Sequence, residues 1–325
     1  MAAPRAAISF WVTPWQLASM SAPRHTPYRN AAADFQIGLR PTAAQVWLDV
    51  TSDYADYLPQ KRARLRHDEA RYYRALPRSL PAQVELLNTA VAHLCADHAA
   101  AFARVGAGLN CKIDGITHAL DQVDVEPLRL LSDFIEEDLI ILEAVDGQMI
   151  ITAASNPYTS SGRIIASVGG AMTFAHAPVP QLNDQMGARV ERILSNLKVG
   201  VLAERFNWLL TAIGTLLFPP DSHAANAEAS ARTAQILMDD DRLCGERLYI
   251  RTERQTLLKL PKSGAVAFSI HTYSDPLSAI AKDRESLAGM RDALASYSAA
   301  RLGYSAMIDI RAPVLRWIDR RLDAL

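Results

Sequence analysis

The stretch from Ile250 to Tyr273 places an arginine, a histidine and a tyrosine where they could meet. It reads IRTERQTLLKLPKSGAVAFSIHTY, two alternating segments around the loop Pro261–Gly264. That pattern predicts a β-hairpin. If the four-residue loop closes symmetrically, Leu260 faces Ala265. Pairing outward from there sets Arg254 opposite His271, Thr252 opposite Tyr273 and Thr256 opposite Ser269. Strand alternation puts these six on one face, and Leu257, Val266, Phe268 and Ile270 on the other. The first face is packed with donors and the second is a core face. A one-residue slip would reshuffle both. Arg254 and His271 repel if both are charged, unless an anion lies between them. A carboxylate from a bound molecule, or the neighbourhood of Glu253, could supply it. Alternatively, His271 is neutral and bonded to a tyrosine or a carboxylate. An ordinary solvated face would also give this alternation.

Two other motifs carry chemistry. In Phe174-Ala175-His176-Ala177-Pro178-Val179-Pro180, an extended backbone puts Met172, Phe174 and His176 on one side. An imidazole beside Met and Phe, with two prolines fixing the chain beyond it, suits ligation of a metal or a heme iron. It equally suits a buried histidine bonded to a backbone carbonyl. In Arg205-Phe206-Asn207-Trp208, the arginine and asparagine beside tryptophan can hold an anion and an aromatic contact, or form a plain interface.

The elements that position these motifs can be read coarsely. Residues 34–80 mix charges and aromatics at no clean period, with a short helix expected after Tyr57. Residues 81–105 read as a helix, with Val84, Leu87, Val91, Leu94, His98, Phe102 and Val105 on one stripe. His98 on that stripe reads as a core-edge histidine. Two strand-like runs flank Asp146-Gly147 and predict a second hairpin. Residues 163–180 look extended, with a bend at Gly169-Gly170. Residues 184–202 return to helix, with Asp184 available as a cap. Residues 217–230 read as a loop, and the Ala-rich tract near 224–234 as part of it. Further helices are expected from Asp275-Pro276 and from Pro313. Helices around a mainly antiparallel sheet make the fold class α+β. The first 33 residues read as a poorly ordered, Pro- and Ala-rich arm, and 34–325 as one domain with its core over about 125–275.

Composition narrows the function classes. The chain has 325 residues, 34 basic and 35 acidic, for a net charge of −1. This balance points to no nucleic acid and no anionic membrane as partner. Half the residues are hydrophobic, enough for a sizeable core. No run approaches the ~20 apolar residues a membrane helix needs. The start, broken by Pro4 and Pro14, lacks the apolar region of a secretory signal. Cys95, Cys111 and Cys244 are too sparse and too far apart for a zinc or iron–sulfur site. They suit a reducing compartment, so a cytoplasmic protein is expected. There is no GxSxG elbow, no P-loop and no HExxH. Gly106-Ala107-Gly108 has Cys111 where a dinucleotide fingerprint would need a third glycine. The chain therefore carries no nicotinamide or ATP motif of its own.

The motifs together, IGLRP, EEDL, HAPVP, RFNW and above all ERQTLLKLPKSGAVAFSIHTYSDPL, resemble the heme-dependent oxidative N-demethylase alpha-subunit-like family. The likeness runs with gaps from about Phe35 to about Leu277. It implies a PAS-like fold binding heme b, and oxidative removal of an N-methyl group from a small amine. Dioxygen would be consumed and formaldehyde released, with electrons from separate flavin and iron–sulfur reductase components. It also implies residue roles: His176 as axial ligand of the iron, Arg251 and Arg254 for the propionates, and His271 and Tyr273 on the distal side. Arg205 and Asn207 become pocket walls. The chain departs from the family pattern in three places. Ser155–Ser160 stands where Cys-Phe-Pro-Ser is usual, His271 where an arginine is usual, and Phe206 where a serine is usual. A non-catalytic heme or small-ligand sensor, or a structural subunit, are the other readings of such a module.

Overall fold

The computed structural model describes residues 22–30, 37–158, 163–172, 187–218 and 222–325. Its centre is an antiparallel sheet of seven strands. These are β1 (Arg40–Thr42), β2 (Tyr73–Ala75), β6 (Asp138–Val145), β7 (Gln148–Ser155), β8 (Leu202–Thr211), β9 (Tyr249–Lys259) and β10 (Val266–Pro276). They lie in the order β1-β8-β9-β10-β6-β7-β2. The five long strands, taken in chain order, therefore run 2-1-5-4-3, the arrangement of a PAS-like sheet. A separate small sheet holds β3 (Phe102–Val105), β4 (Gly108–Cys111) and β5 (Thr117–Ala119).

Helices surround this sheet, so the class is α+β. They are α1 (Tyr54–His67), α2 (Glu69–Tyr72), α3 (Leu80–Asp97), α4 (Pro127–Leu131), α5 (Arg163–Ala166) and α6 (Gly187–Ser195). After β8 come α7 (Ser222–Asp239), α8 (Cys244–Arg247), α9 (Arg284–Ser296), α10 (Ala299–Tyr304) and α11 (Ile308–Asp323).

Both hairpins form as their sequences require. Strands β6 and β7 turn at Asp146-Gly147. Strands β9 and β10 pair Arg254 with His271, Thr252 with Tyr273 and Thr256 with Ser269. The backbone N–H of Leu260 donates to the Ala265 carbonyl at 2.8 Å. Gly264 closes the loop at φ 71°, a conformation that costs a residue with a Cβ. Glu85 of α3 clamps the tip, accepting from the Lys262 and Ser263 backbone N–H groups at 2.7 Å each.

Other boundaries differ from the sequence reading. The helix expected over 81–105 ends at Asp97, and Phe102–Val105 pair with β4 instead. His98 caps it, with its Nε2 2.8 Å from the Leu48 carbonyl. Most of 163–172 is not extended: Arg163–Ala166 is helical, and a single bridge joins Ala171 to Ile150. The Ala-rich tract forms the 18-residue helix α7 rather than a loop. Within the expected arm, residues 22–30 pack on the body: Tyr28 is fully buried, and Arg29 bonds Asp283 and Ser286. Among the described residues, no helix is long and apolar enough to cross a membrane.

Candidate functional site

The sheet divides the candidate residues between two faces. Thr252, Arg254, Thr256, Ser269, His271 and Tyr273 share one face with Glu204 and Phe206 of β8 by register. We term this the strap face, because residues 47–51 cross it. Trp47 Nε1 donates to Ser269 Oγ at 3.2 Å, and the Trp47 carbonyl accepts from Arg254 Nη1 at 3.2 Å. The Asp49 N–H donates to Glu137 Oε1 at 2.8 Å, and the Thr51 N–H to Glu136 Oε2 at 2.8 Å. Tyr273 donates its hydroxyl proton to Asp49 Oδ2 at 2.7 Å. The donor face anticipated from alternation is therefore spent largely on holding this strap.

The charge problem posed by Arg254 and His271 is solved separately for each. Arg254 Nε donates to Glu204 Oε2 at 3.0 Å. His271 Nδ1 lies 2.9 Å from Glu137 Oε1, and its ring stacks on Tyr273 at 4.4 Å between centroids. Burial alone would lower the His271 imidazole. The Glu137 carboxylate, with Glu136 and Asp49 behind it, outweighs burial and raises it. Glu137 is also fully enclosed; burial would raise it, and His271 holds it low. Glu136 moves the other way, raised by burial against the pull of His271 and Thr51.

The other face carries Arg251, Glu253, Gln255 and Leu257 of β9. Beside them by register lie Arg205 and Asn207 of β8, Ile270 and Thr272 of β10, and Asp138 of β6. One half is apolar: Ile140, Leu142, Leu257, Val266, Phe268 and Ile270 pack there with Ile165, Met172 and Leu194. Burying a side chain of this size is worth ~1.5–3 kcal/mol. The other half is polar. Glu253 Oε2 accepts from Gln255 Nε2 at 3.0 Å and makes a long contact with Asn207 Nδ2 at 3.5 Å. Arg205 is half-buried, and its Nε is buried with no partner among the described residues. Burial lowers its guanidinium, and Glu253 opposes that.

Arg251, by contrast, is spent on the backbone. Nη1 donates to the Leu216 carbonyl and Nη2 to the Tyr158 carbonyl, both at 2.9 Å, and the guanidinium lies 4.0 Å over the Phe218 ring. Burial brings it down to about 10. Asp138 is buried nearby, accepting from Asn156 Nδ2 at 2.6 Å and the Tyr158 N–H at 3.1 Å. Burial raises it despite Lys61.

Of the residues expected to work together, Arg205, Asn207 and Arg251 share this second face. Arg254, His271 and Tyr273 do not reach it. His176 lies outside the described residues. On either side of that segment, Met172 and Leu194 both pack on the second face. Glu253, offered from sequence as an anion between Arg254 and His271, lies on the opposite face, and Gln255 and Asp138 beside it were not singled out by sequence. Among the described residues, no group of three metal-type side chains gathers. A heme iron requires only one axial side chain.

The chain is thus built on a PAS-like sheet with one face half apolar and half polar. Residues 38–315 match the family described as Haem-dependent oxidative N-demethylase, alpha subunit-like, and the chain belongs to that family. That description makes it heme-dependent, an oxidoreductase and one subunit of a system with several components.

Proposed function

We propose that the chain binds heme b on the second face of its sheet and oxidatively N-demethylates a small methylated amine. The observation that carries this reading is the division of that face into an apolar half and a polar half, where Arg205 Nε is buried with no partner among the described residues. A porphyrin has the same division, with a wide apolar ring and an anionic edge. The residues present therefore fit the group. Ile140, Leu257, Phe268 and Ile270 would pack the ring and exclude water. Arg205 would receive a propionate, with Asn207 at the pocket wall. His176, which lies outside the described residues, would supply an imidazole to the iron.

Bound heme would supply the iron at which dioxygen is reduced. The balance is one methylated amine, one dioxygen, two electrons and two protons, giving the demethylated amine, formaldehyde and water. The electrons come from a separate flavin and iron–sulfur reductase, because the chain has no nucleotide or cluster motif.

The chain's own contribution to the substrate is electrostatic. Small alkylamines are protonated near neutral pH. Glu253 is the counter-charge we assign to that ammonium. Asp138 has both carboxylate oxygens engaged. Glu253 is half-buried, and its Oε1 has no donor among the described residues. Arg251 fixes the Tyr158 and Leu216 backbones behind this group. Arg254, His271 and Tyr273 act at a distance by holding the strap and with it the sheet.

The test is the absorption spectrum of protein expressed with ample heme, oxidised and reduced. A stoichiometric Soret band, shifted or lost in His176→Ala, supports the reading. Formaldehyde released from methylated amines with an external electron donor then separates an enzyme from a sensor. Protein that takes up no hemin on titration sinks the reading.

A further inference from the structure

Among the buried polar atoms of the strap face that lack partners among the described residues are His25 Nε2, Thr252 Oγ1 and Arg254 Nη2, with Glu137 Oε2, beyond His271, as another. The register brings the first three together. Phe206, Arg254 and His271 form one row across β8, β9 and β10, and Trp208, Thr252 and Tyr273 form the next row on the same face. The His25 ring rests on Phe206 at 4.8 Å and on Tyr273 at 4.9 Å. Those two residues are diagonal corners of the rectangle. A ring touching both lies over its centre, and the middle strand there presents Thr252 and Arg254. The side chains beneath are closed from solvent, with Thr252 1% and Arg254 4% exposed.

The atoms form a donor set. Arg254 Nη2 can only donate, a threonine hydroxyl donates or accepts, and a neutral imidazole nitrogen does one or the other. Buried polar atoms left unsatisfied on neighbouring register positions are costly, and one shared ligand between the His25 ring and the sheet would serve them. The sign of the field selects among ligands. Burial lowers the His25 imidazole most; Arg254 and Arg24 add to this more strongly than Asp49 and Glu204 oppose it, and together they bring it down to about 4. The imidazole is therefore neutral under ordinary conditions, beside a net positive field.

We infer that His25, Thr252 and Arg254 form a binding site for a small monovalent anion, a halide or a formate-sized carboxylate, enclosed between residues 22–30 and the sheet. The site does not depend on the proposed heme site and lies on the opposite face of the sheet from it. It links the first described segment to β9: Arg24 pairs with Asp49 at 2.7 Å, and His25 would be tied to the sheet through the anion.

The experiment uses full-length protein with ¹⁵N-labelled histidine, exchanged into gluconate buffer. Sodium chloride or sodium formate is then added at constant ionic strength. The expected result is a saturable change at the His25 ring nitrogens, identified by its absence in His25→Gln, and a melting temperature that rises with the same midpoint. Thr252→Val keeps the shape and removes the hydroxyl. It should weaken the midpoint at least tenfold while melting within a few degrees of wild type in gluconate. A linear response, or one identical in Thr252→Val, overturns the proposal and leaves internal water as the shared partner. If Thr252→Val unfolds, the wild-type titration alone decides, since a non-saturating His25 response already excludes a site.

Discussion

His271 and Arg254 are direct cross-strand partners, yet each is neutralised by a different carboxylate from a different strand or its edge: Glu137 for His271 and Glu204 for Arg254. Both pairs are buried. Such pairs add little net stability but are expensive to break, because the survivor is an uncompensated charge. We expect His271→Ala to cost about 3–5 kcal/mol in urea unfolding. Glu137→Gln should cost a comparable amount, and the double variant clearly less than the sum. Additive single effects would show that the two groups do not act as a pair.

The same pair sets a pH dependence. The folded His271 imidazole is held above its ordinary 6.5 by Glu137, Glu136 and Asp49. A group raised on folding stabilises fully below its unfolded value, and that contribution fades as pH rises through the folded value. Wild type should lose urea stability relative to His271→Asn as pH climbs above about 6.5. A pH-independent difference between the two proteins would refute the linkage.

At the hairpin tip, Glu85 receives two backbone N–H groups. Glu85→Ala leaves both loop donors without that acceptor, at a cost of about 1–3 kcal/mol. Burial would raise this carboxyl, but the Ser263 and Lys262 donors outweigh it and hold it low. Its contribution should therefore be present above the ordinary 4.5 and fade as pH falls. Amide exchange at Lys262 and Ser263 is the direct readout, and unchanged protection in the variant would contradict the clamp.

Arg205 is the residue whose loss should be felt by heme and not by the fold. Arg205→Gln removes a charge-assisted bond worth about 1.5–3 kcal/mol, roughly a tenfold to hundredfold loss of hemin affinity. Glu253→Gln should instead weaken binding of protonated amines in a calorimetric titration. Equal hemin affinity in wild type and Arg205→Gln would remove Arg205 from the pocket.

Gly289 admits the chain of residues 28–29 at close range: a Cβ there would lie 2.5 Å from Arg29 Cα and 2.7 Å from the Tyr28 carbonyl oxygen. Gly289→Ala should push residues 22–30 off the body while α9 persists, since Ala is the better helix former. Limited proteolysis near Arg24 and Arg29 should accelerate. Cleavage at the wild-type rate would mean that the segment adjusts without leaving.

The hairpins were legible because each is local: a recognisable turn between two alternating runs fixes every pair, down to Arg254 against His271. What the donor face touches was not legible. Asp49 meets Tyr273 from 224 positions away, and nothing near either residue announces the other. A polar strand face looks the same in sequence whether it meets a ligand or a crossing strap. Strand β8 was visible only as the Arg205–Trp208 motif, because both of its faces mix polar and apolar residues. Helix α7 was hidden by Ala, Ser and Asn in a tract that follows two prolines. The second face was half legible: its apolar members read as core, whereas Glu253 read as a neighbour of Arg254 and His271 and Gln255 as nothing in particular, because sequence alternation gives no sign of what either face meets.

In β9, four consecutive residues alternate in allegiance. Glu253 and Gln255 serve one side of the sheet, and Arg254 and Thr256 serve the other. The strand is thus a shared wall between two chambers, and its reading frame is common property. Deleting or inserting one residue here would not damage one chamber and spare the other. It would send the arginine that holds the strap to the face proposed for the cofactor, and Glu253, the proposed counter-charge, under the strap. Change in either chamber is therefore confined to substitution in place.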